Sequence, residues 1–188
     1  MSPRPYRLGQ RQAATDQTRA RIVAAAHDLF VTADTAAGFS IDAVAKGADV
    51  ARMTVYHQFG SKAGLLEALC DSLAAYAGME RLAVAFTQPN ALAALDEFIG
   101  VFARLWQSDR LVMRRLRGLA MLDPDFERVI RARDERRRQG LRALVPRLSA
   151  ELGRPDIAAR DEVVDILHTL IAFEFFDTLA GPDRSIED

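Results

Sequence analysis

Cysteine, histidine and aromatic residues are all scarce in this chain of 188 residues: one Cys, three His, and 7% Phe, Trp and Tyr together. A single thiol, Cys70, excludes an internal disulfide. Its place beside Leu69 in an apolar helical run marks it as a small buried hydrophobe rather than a redox centre. The histidines, His27, His57 and His168, fall in separate segments with no nucleophile motif and no framed pair of carboxylates, so the sequence offers no catalytic constellation and reads as a non-enzyme. Asp165 and His168 stand at i and i+3, but two ligands without a third make a surface pair, and no metal or cofactor is expected. There is no glycine-rich phosphate loop, no repeat and no alternating strand pattern. No stretch approaches the roughly 20 apolar residues that span a bilayer, and no secretory apolar segment opens the chain, so the expected compartment is the cytoplasm, with no membrane partner.

What remains is helical periodicity carried on 49% hydrophobic residues, enough for a substantial core. The net charge of −1 is unevenly spread: residues 1–62 hold eight Lys or Arg against five Asp or Glu, leaving 17 against 21 in the rest. A modestly basic end joined to an acidic remainder suggests a small nucleic-acid-facing part and a larger part with another task.

The segment SIDAVAKGADVARMTVYHQFGSK, Ser40 to Lys62, reads as two short helices joined by a tight turn. Ser40 can cap the first, Asp42 suits its positive end, and Ile41, Val44, Ala45 and Ala48 share one face. The break falls at Gly47-Ala48-Asp49, where Asp49 must serve a turn that favours glycine; Asp is among the few other residues that tolerate it. In the second helix Val55, Tyr56 and Phe59 point one way, which leaves Arg52, Met53, Thr54, His57 and Gln58 outward, a face suited to base edges and phosphates in a major groove. Lys62 follows Ser61 at the start of a third helix, where a cation and open amides could hold a phosphate. Upstream, Thr15 to Thr32 puts Ile22, Ala25, Ala26, Leu29 and Phe30 on one stripe with Arg19 and Arg21 near the opposite edge. Residues 1–14, with Arg4, Arg7 and Arg11, read as a flexible basic arm.

These residues resemble the tetracycline-repressor-like (TetR) family of transcriptional regulators, over roughly Thr18 to Leu69. The matching motifs are TRARIVAAAHDLF, Gly38-Phe39-Ser40, and VAKGADVARMTVYHQFGSKAGLL with its Thr54-Val55-Tyr56 and Phe59-Gly60-Ser61-Lys62. The resemblance implies that Thr54, Tyr56 and Lys62 contact phosphates, that Arg52, Met53 and His57 face the bases, and that Phe59 belongs to the small core. Two departures stand out: Asp49 replaces the usual turn glycine, and Met53 replaces a small residue in the reading helix, where its side chain can pack on a thymine methyl or push the helix outward.

Beyond Ser61 a long helix carries Leu65, Leu66, Leu69, Leu73 and Tyr76. Further helical runs span Asn90 to Gln107, Asp109 to Met121, Pro124 to Leu148 and Arg160 to Ala180, with Pro146 expected to kink or end the third and Gly181-Pro182 to stop the last. The expected fold is all-α, with a basic arm (1–14), a helix-turn-helix domain (15–62) and a helical ligand-binding and dimerisation domain (63–188). The apolar residues of the middle runs read first as core. By resemblance the space between them and the long helix is an effector pocket, with Phe102, Trp106 and Met113 as its wall. The last run has more apolar surface than one stripe needs, and by resemblance it pairs with a second copy through Leu167, Leu170, Ile171 and Phe175, the competing reading being that it is only the central core of the protein. The arginine-rich stretch Arg131 to Arg142, interrupted by Asp134 and Glu135, reads as a solvated, ion-paired face. The expected function is a homodimeric regulator, a repressor, that binds a palindrome in double-stranded DNA and is released by a small molecule. The competing reading is a helical partner-binding protein that keeps this fold without a specific operator.

Overall fold

The computed structural model describes residues 4–32, 38–158 and 161–181, with side chains from residue 12 onward and excluding 157 and 158. Among these the fold is all helical: α1 (Arg4–Thr32), α2 (Ile41–Gly47), α3 (Arg52–Phe59), α4 (Lys62–Tyr76), α5 (Leu82–Thr87), α6 (Ala91–Ser108), α7 (Arg110–Ala120), α8 (Pro124–Glu151), α9 (Pro155–Ala158), α10 (Asp161–Leu170) and α11 (Phe173–Ala180). A 3-10 turn at Met79–Arg81 precedes α5.

The boundaries follow side chains that complete open backbone amides. Ser40, Ser61, Asn90, Asp109 and Asp123 each accept a bond from an amide in the first turn of α2, α4, α6, α7 and α8, and Pro124 occupies the start of α8, where a missing N–H costs nothing. The arm expected over residues 1–14 is helical from Arg4, because Pro5 lies in the first turn and nothing after it interrupts α1. Residues 1–3, and the side chains of Arg4, Arg7 and Arg11, lie outside the described residues. Pro146 does not end α8, which continues to Glu151.

The final run differs from expectation in a second way. It is two helices, broken at Ile171-Ala172, with Ala172 extended (ψ 151°). No proline or glycine marks this break; the Ile171 carbonyl instead accepts the Trp106 indole N–H at 3.0 Å, and Ile171 is packed inside the protomer. Residue 160 and Pro182, the proposed ends of that run, lie outside the described residues.

One continuous core runs through both ends of the molecule. Ile22, Ala26 and Phe30 of α1 meet Val44 and Val55 of α2 and α3 on one side of α4, whose Leu65, Leu66 and Leu69 are fully buried. Beyond α4 lie Phe98, Leu116, Phe126, Leu141 and Leu144 of α6, α7 and α8. The α3–α4 junction is especially tight: a methyl on Gly64 would stand 2.2 Å from the Phe59 carbonyl oxygen. At the far end Asp177 of α11 accepts bonds from Arg110 (2.8 Å) and Arg114 (2.8 Å) of α7. Burial alone would raise the Asp177 carboxyl, but the bonds from Arg114 and Arg110 outweigh it and hold it below the ordinary carboxylate range.

Two predictions follow from these contacts. Gly64→Ala lowers the melting temperature by several degrees, in line with an overpacking cost of about 1–3 kcal/mol, whereas Gly118→Ala, with nothing within 4 Å of the added carbon, leaves it unchanged or higher. Equal melting temperatures for the two variants would contradict this packing. Because Asp177 is depressed in the folded state, its contribution is fully present above the unfolded carboxyl value of about 3.9 and fades as the pH falls through the lower, folded one. Acid titration of unfolding should therefore show a steeper loss below about pH 4 in the native protein than in Asp177→Asn.

Candidate nucleic-acid interface

The turn between α2 and α3 is built on Asp49, whose φ of 51° makes it the one described non-glycine residue with a left-handed backbone. The strain is held by a neighbour far away in sequence. Arg21 of α1 donates to the carbonyls of Ala48 (2.9 Å) and Asp49 (3.4 Å), and Arg19, one helical edge away, donates to the Gln58 carbonyl at 2.7 Å while its guanidinium lies 4.3 Å from the Phe59 ring centre. Both arginines therefore neutralise the negative ends of the two short helices. The sequence puts both near the edge of α1 opposite its apolar stripe; their carbonyl bonding, across 27 and 39 residues, carries no local signal.

With α3 fixed from behind, its outer face presents Arg52, Met53 and His57 to solvent, Met53 at 59% exposure. Thr54 and Tyr56 are half-buried beside them, and Val55 is fully inside. Arg52 is engaged: it forms a bidentate pair with Asp42 of α2 (2.9 and 2.7 Å) and reaches the Tyr56 hydroxyl at 3.3 Å. Bonds to Tyr56 and Asp42 raise its already high guanidinium value, so it is a permanent cation with its fork turned along the surface.

Lys62 is placed differently from the expectation that it stands open at the α4 N-terminus. Its ammonium lies 3.1 Å from Asp123, the cap of α8, and Ser61 already satisfies the Gly64 amide at 3.0 Å. Burial works against the Asp123 carboxylate, but the Phe126 amide and Lys62 outweigh it and keep it below its ordinary value. A phosphate approaching Lys62 therefore competes with a carboxylate from the other end of the protein.

The remaining expected residues lie away from this surface. Phe102, Trp106 and Met113 all border one cavity of about 290 Å³ between α4, α6, α7 and α8. Cys70 also borders it, its thiol pushed up to about 11 by burial, as befits a buried hydrophobe. Of the expected pairing residues Leu170 is exposed, Leu167 and Phe175 are half-buried, and Ile171 is 3% exposed, a core residue unable to reach a second copy. Ile166 and Leu179, missed in sequence reading, are the more exposed apolar residues of this end. The stretch Arg131 to Arg142 is ion-paired at Arg131, Arg138 and Arg142, but Arg137 is 4% exposed and borders the cavity, which corrects the reading of a wholly solvated face. Asp165 pairs with Arg138 while His168 faces Arg137, so the two do not converge, and no group of three metal-ligating side chains exists among the described residues. Nor, among those residues, is any helix long and apolar enough to cross a membrane.

Residues 22–69 match a family model described as bacterial regulatory proteins, tetR family. No curated protein matches the chain.

The backbone geometry at Asp49 makes a direct prediction. Asp49→Gly stabilises the protein by about 1 kcal/mol and Asp49→Val destabilises it by at least as much, measured by denaturant unfolding, because a β-branched residue is poorly suited to left-handed φ. The reverse order would show that the turn is not strained.

Proposed function

We propose that the chain is a DNA-binding transcriptional regulator of the tetR kind, a reading supported by the match over residues 22–69, and that it is a homodimeric repressor acting in the cytoplasm, released from its operator by a small molecule. The observation that carries the reading is the face of α3: three exposed side chains of differing chemistry, Arg52, Met53 and His57, on a helix locked at its carbonyl end by α1. A helix that served only packing would have no use for such anchoring of an exposed face. In this reading Arg52, Met53 and His57 meet base edges, and Thr54, Tyr56 and Lys62 meet phosphates.

A palindromic site needs two readers about 34–36 Å apart, one helical turn of DNA. The second copy would be held by the far end of the chain, where Ile166 and Leu170, four residues apart on α10, and Leu179 on α11 are exposed and Leu167 and Phe175 half-buried. The cavity supports the effector role because α4 forms part of its wall and also begins directly after the reading helix. A ligand that favours one tilt of α4 shifts the population with the wrong reader spacing.

The test is selection of bound duplexes from a randomised pool, with Tyr56→Ala in parallel. The expected result is an inverted repeat that the variant fails to enrich. Absence of any enriched sequence at low salt would overturn the operator reading and favour a partner-binding protein. Once the repeat is known, Lys62→Ala and Tyr56→Phe should weaken binding to all duplexes with a shallower salt dependence, by about one unit of log–log slope for Lys62, whereas Arg52→Ala should change base preference.

A further inference from the structure

The cavity beside α4 is not uniformly apolar. One part of its wall is Phe102, Trp106 and Met113; another is the charged group Arg137, Arg117 and Asp134. Arg137 is a guanidinium with a side chain only 3% exposed. It donates to Asp134 at 3.0 Å and contacts the His168 ring nitrogen at 3.1 Å, and its Nε–H has no partner at all. Asp134 is also claimed by Arg117 through two bonds of 3.0 and 3.1 Å, so two guanidiniums share one half-buried carboxylate. A second acid beside them is Glu174, 3.5 Å from Arg117 and 61% exposed. Arg133, also on the wall, is matched by Asp71.

The wall holds Arg117, Arg133, Arg136 and Arg137 against Asp71 and Asp134, so even with Glu174 beside Arg117 it keeps about one more positive than negative charge around a mostly apolar space. A buried charge that shares its counter-ion is costly, and burial depresses the Arg137 guanidinium despite Asp134. The rings of Phe102 and Trp106, each 5.6 Å from that guanidinium, soften the cost without supplying an anion. The buried, unpartnered Nε–H belongs to a planar guanidinium whose Nη groups meet Asp134 and His168, so a ligand carboxylate would pair two-pronged with it by taking the place of His168.

We propose that the effector is a monocarboxylate with an apolar body, its carboxylate bound by Arg137 beside Arg117 and its body lying against Phe102, Trp106 and Met113. One excess positive charge on the wall fits a single negative charge, and a cavity of about 290 Å³ fits a body of modest size. This assignment rests on the effector reading of the cavity given above, and Trp106, the chain's single tryptophan, reports directly on its occupancy.

The full-length protein is titrated with decanoate and decanamide, and with 4-phenylbutyrate and its amide, by Trp106 fluorescence and calorimetry. The acids should bind at least about tenfold more tightly than their amides, and Arg137→Gln should erase that ratio, while Asp134→Asn, which frees both guanidiniums, should increase it. Amides that bind as tightly as acids overturn the proposal, as does a preference that survives in folded Arg137→Gln, or failure of both acids to bind. Should Arg137→Gln not fold, the acid-to-amide ratio in the native protein decides alone. Release of the selected operator is scored in the same samples. Acid binding without release would sustain the carboxylate site and remove the effector role, whereas release by a neutral compound with no acid binding would do the opposite.

Discussion

Everything in this molecule is arranged around a single helix that must serve two cores. Leu65, Leu66 and Leu69 of α4 have no exposed surface to speak of, because α1 and α3 cover one side and α6 and α8 the other. An interior packed at crystal-like density does not deform gradually, so the reading helix cannot be repositioned without α4, nor α4 without the helices of the larger end. Gly64 fixes the closeness of the approach: only a residue without a side chain lets α4 start this near the last carbonyl of α3.

Polar contacts reinforce the same junction. His27 of α1 meets Asp109, the cap of α7, at 2.8 Å; Arg115 of α7 reaches back to the Phe30 carbonyl; and Lys62 meets Asp123, the cap of α8. Two of these three place a charged or titratable group of the small end against an acid that is also capping a helix of the large end. Coupling between the ends therefore has a physical route through specific side chains as well as through packed methyl groups, and both routes meet at α4 and its neighbours.

Local chemistry made much of this fold readable from sequence. Ser40, Ser61, Asn90, Asp109 and Asp123 announce helix starts because each carries a side-chain oxygen of the right reach, and the stripe Ile22, Ala25, Ala26, Leu29 and Phe30 is legible because its spacing is set by the helix itself. The outward set Arg52, Met53 and His57 follows from the same periodicity. What escaped was decided at long range. The break at Ile171-Ala172 depends on an indole 65 residues away, and the docking of Arg19 and Arg21 on distant carbonyls has no pattern of its own. Arg137 looked like one more member of a solvated run because charge periodicity shows that a face is polar, and cannot show that another helix covers part of it.

The acceptors that hold the α2–α3 turn and the end of α3 against α1 are main-chain carbonyls, at Ala48 and Asp49 and at Gln58. Such acceptors persist whatever side chains occupy those positions. The outer residues of α3 can therefore drift in sequence while the angle at which the helix is offered stays constant, so that under the proposed function a descendant of this protein could acquire a different base preference by substitution at one surface without having to rebuild its scaffold.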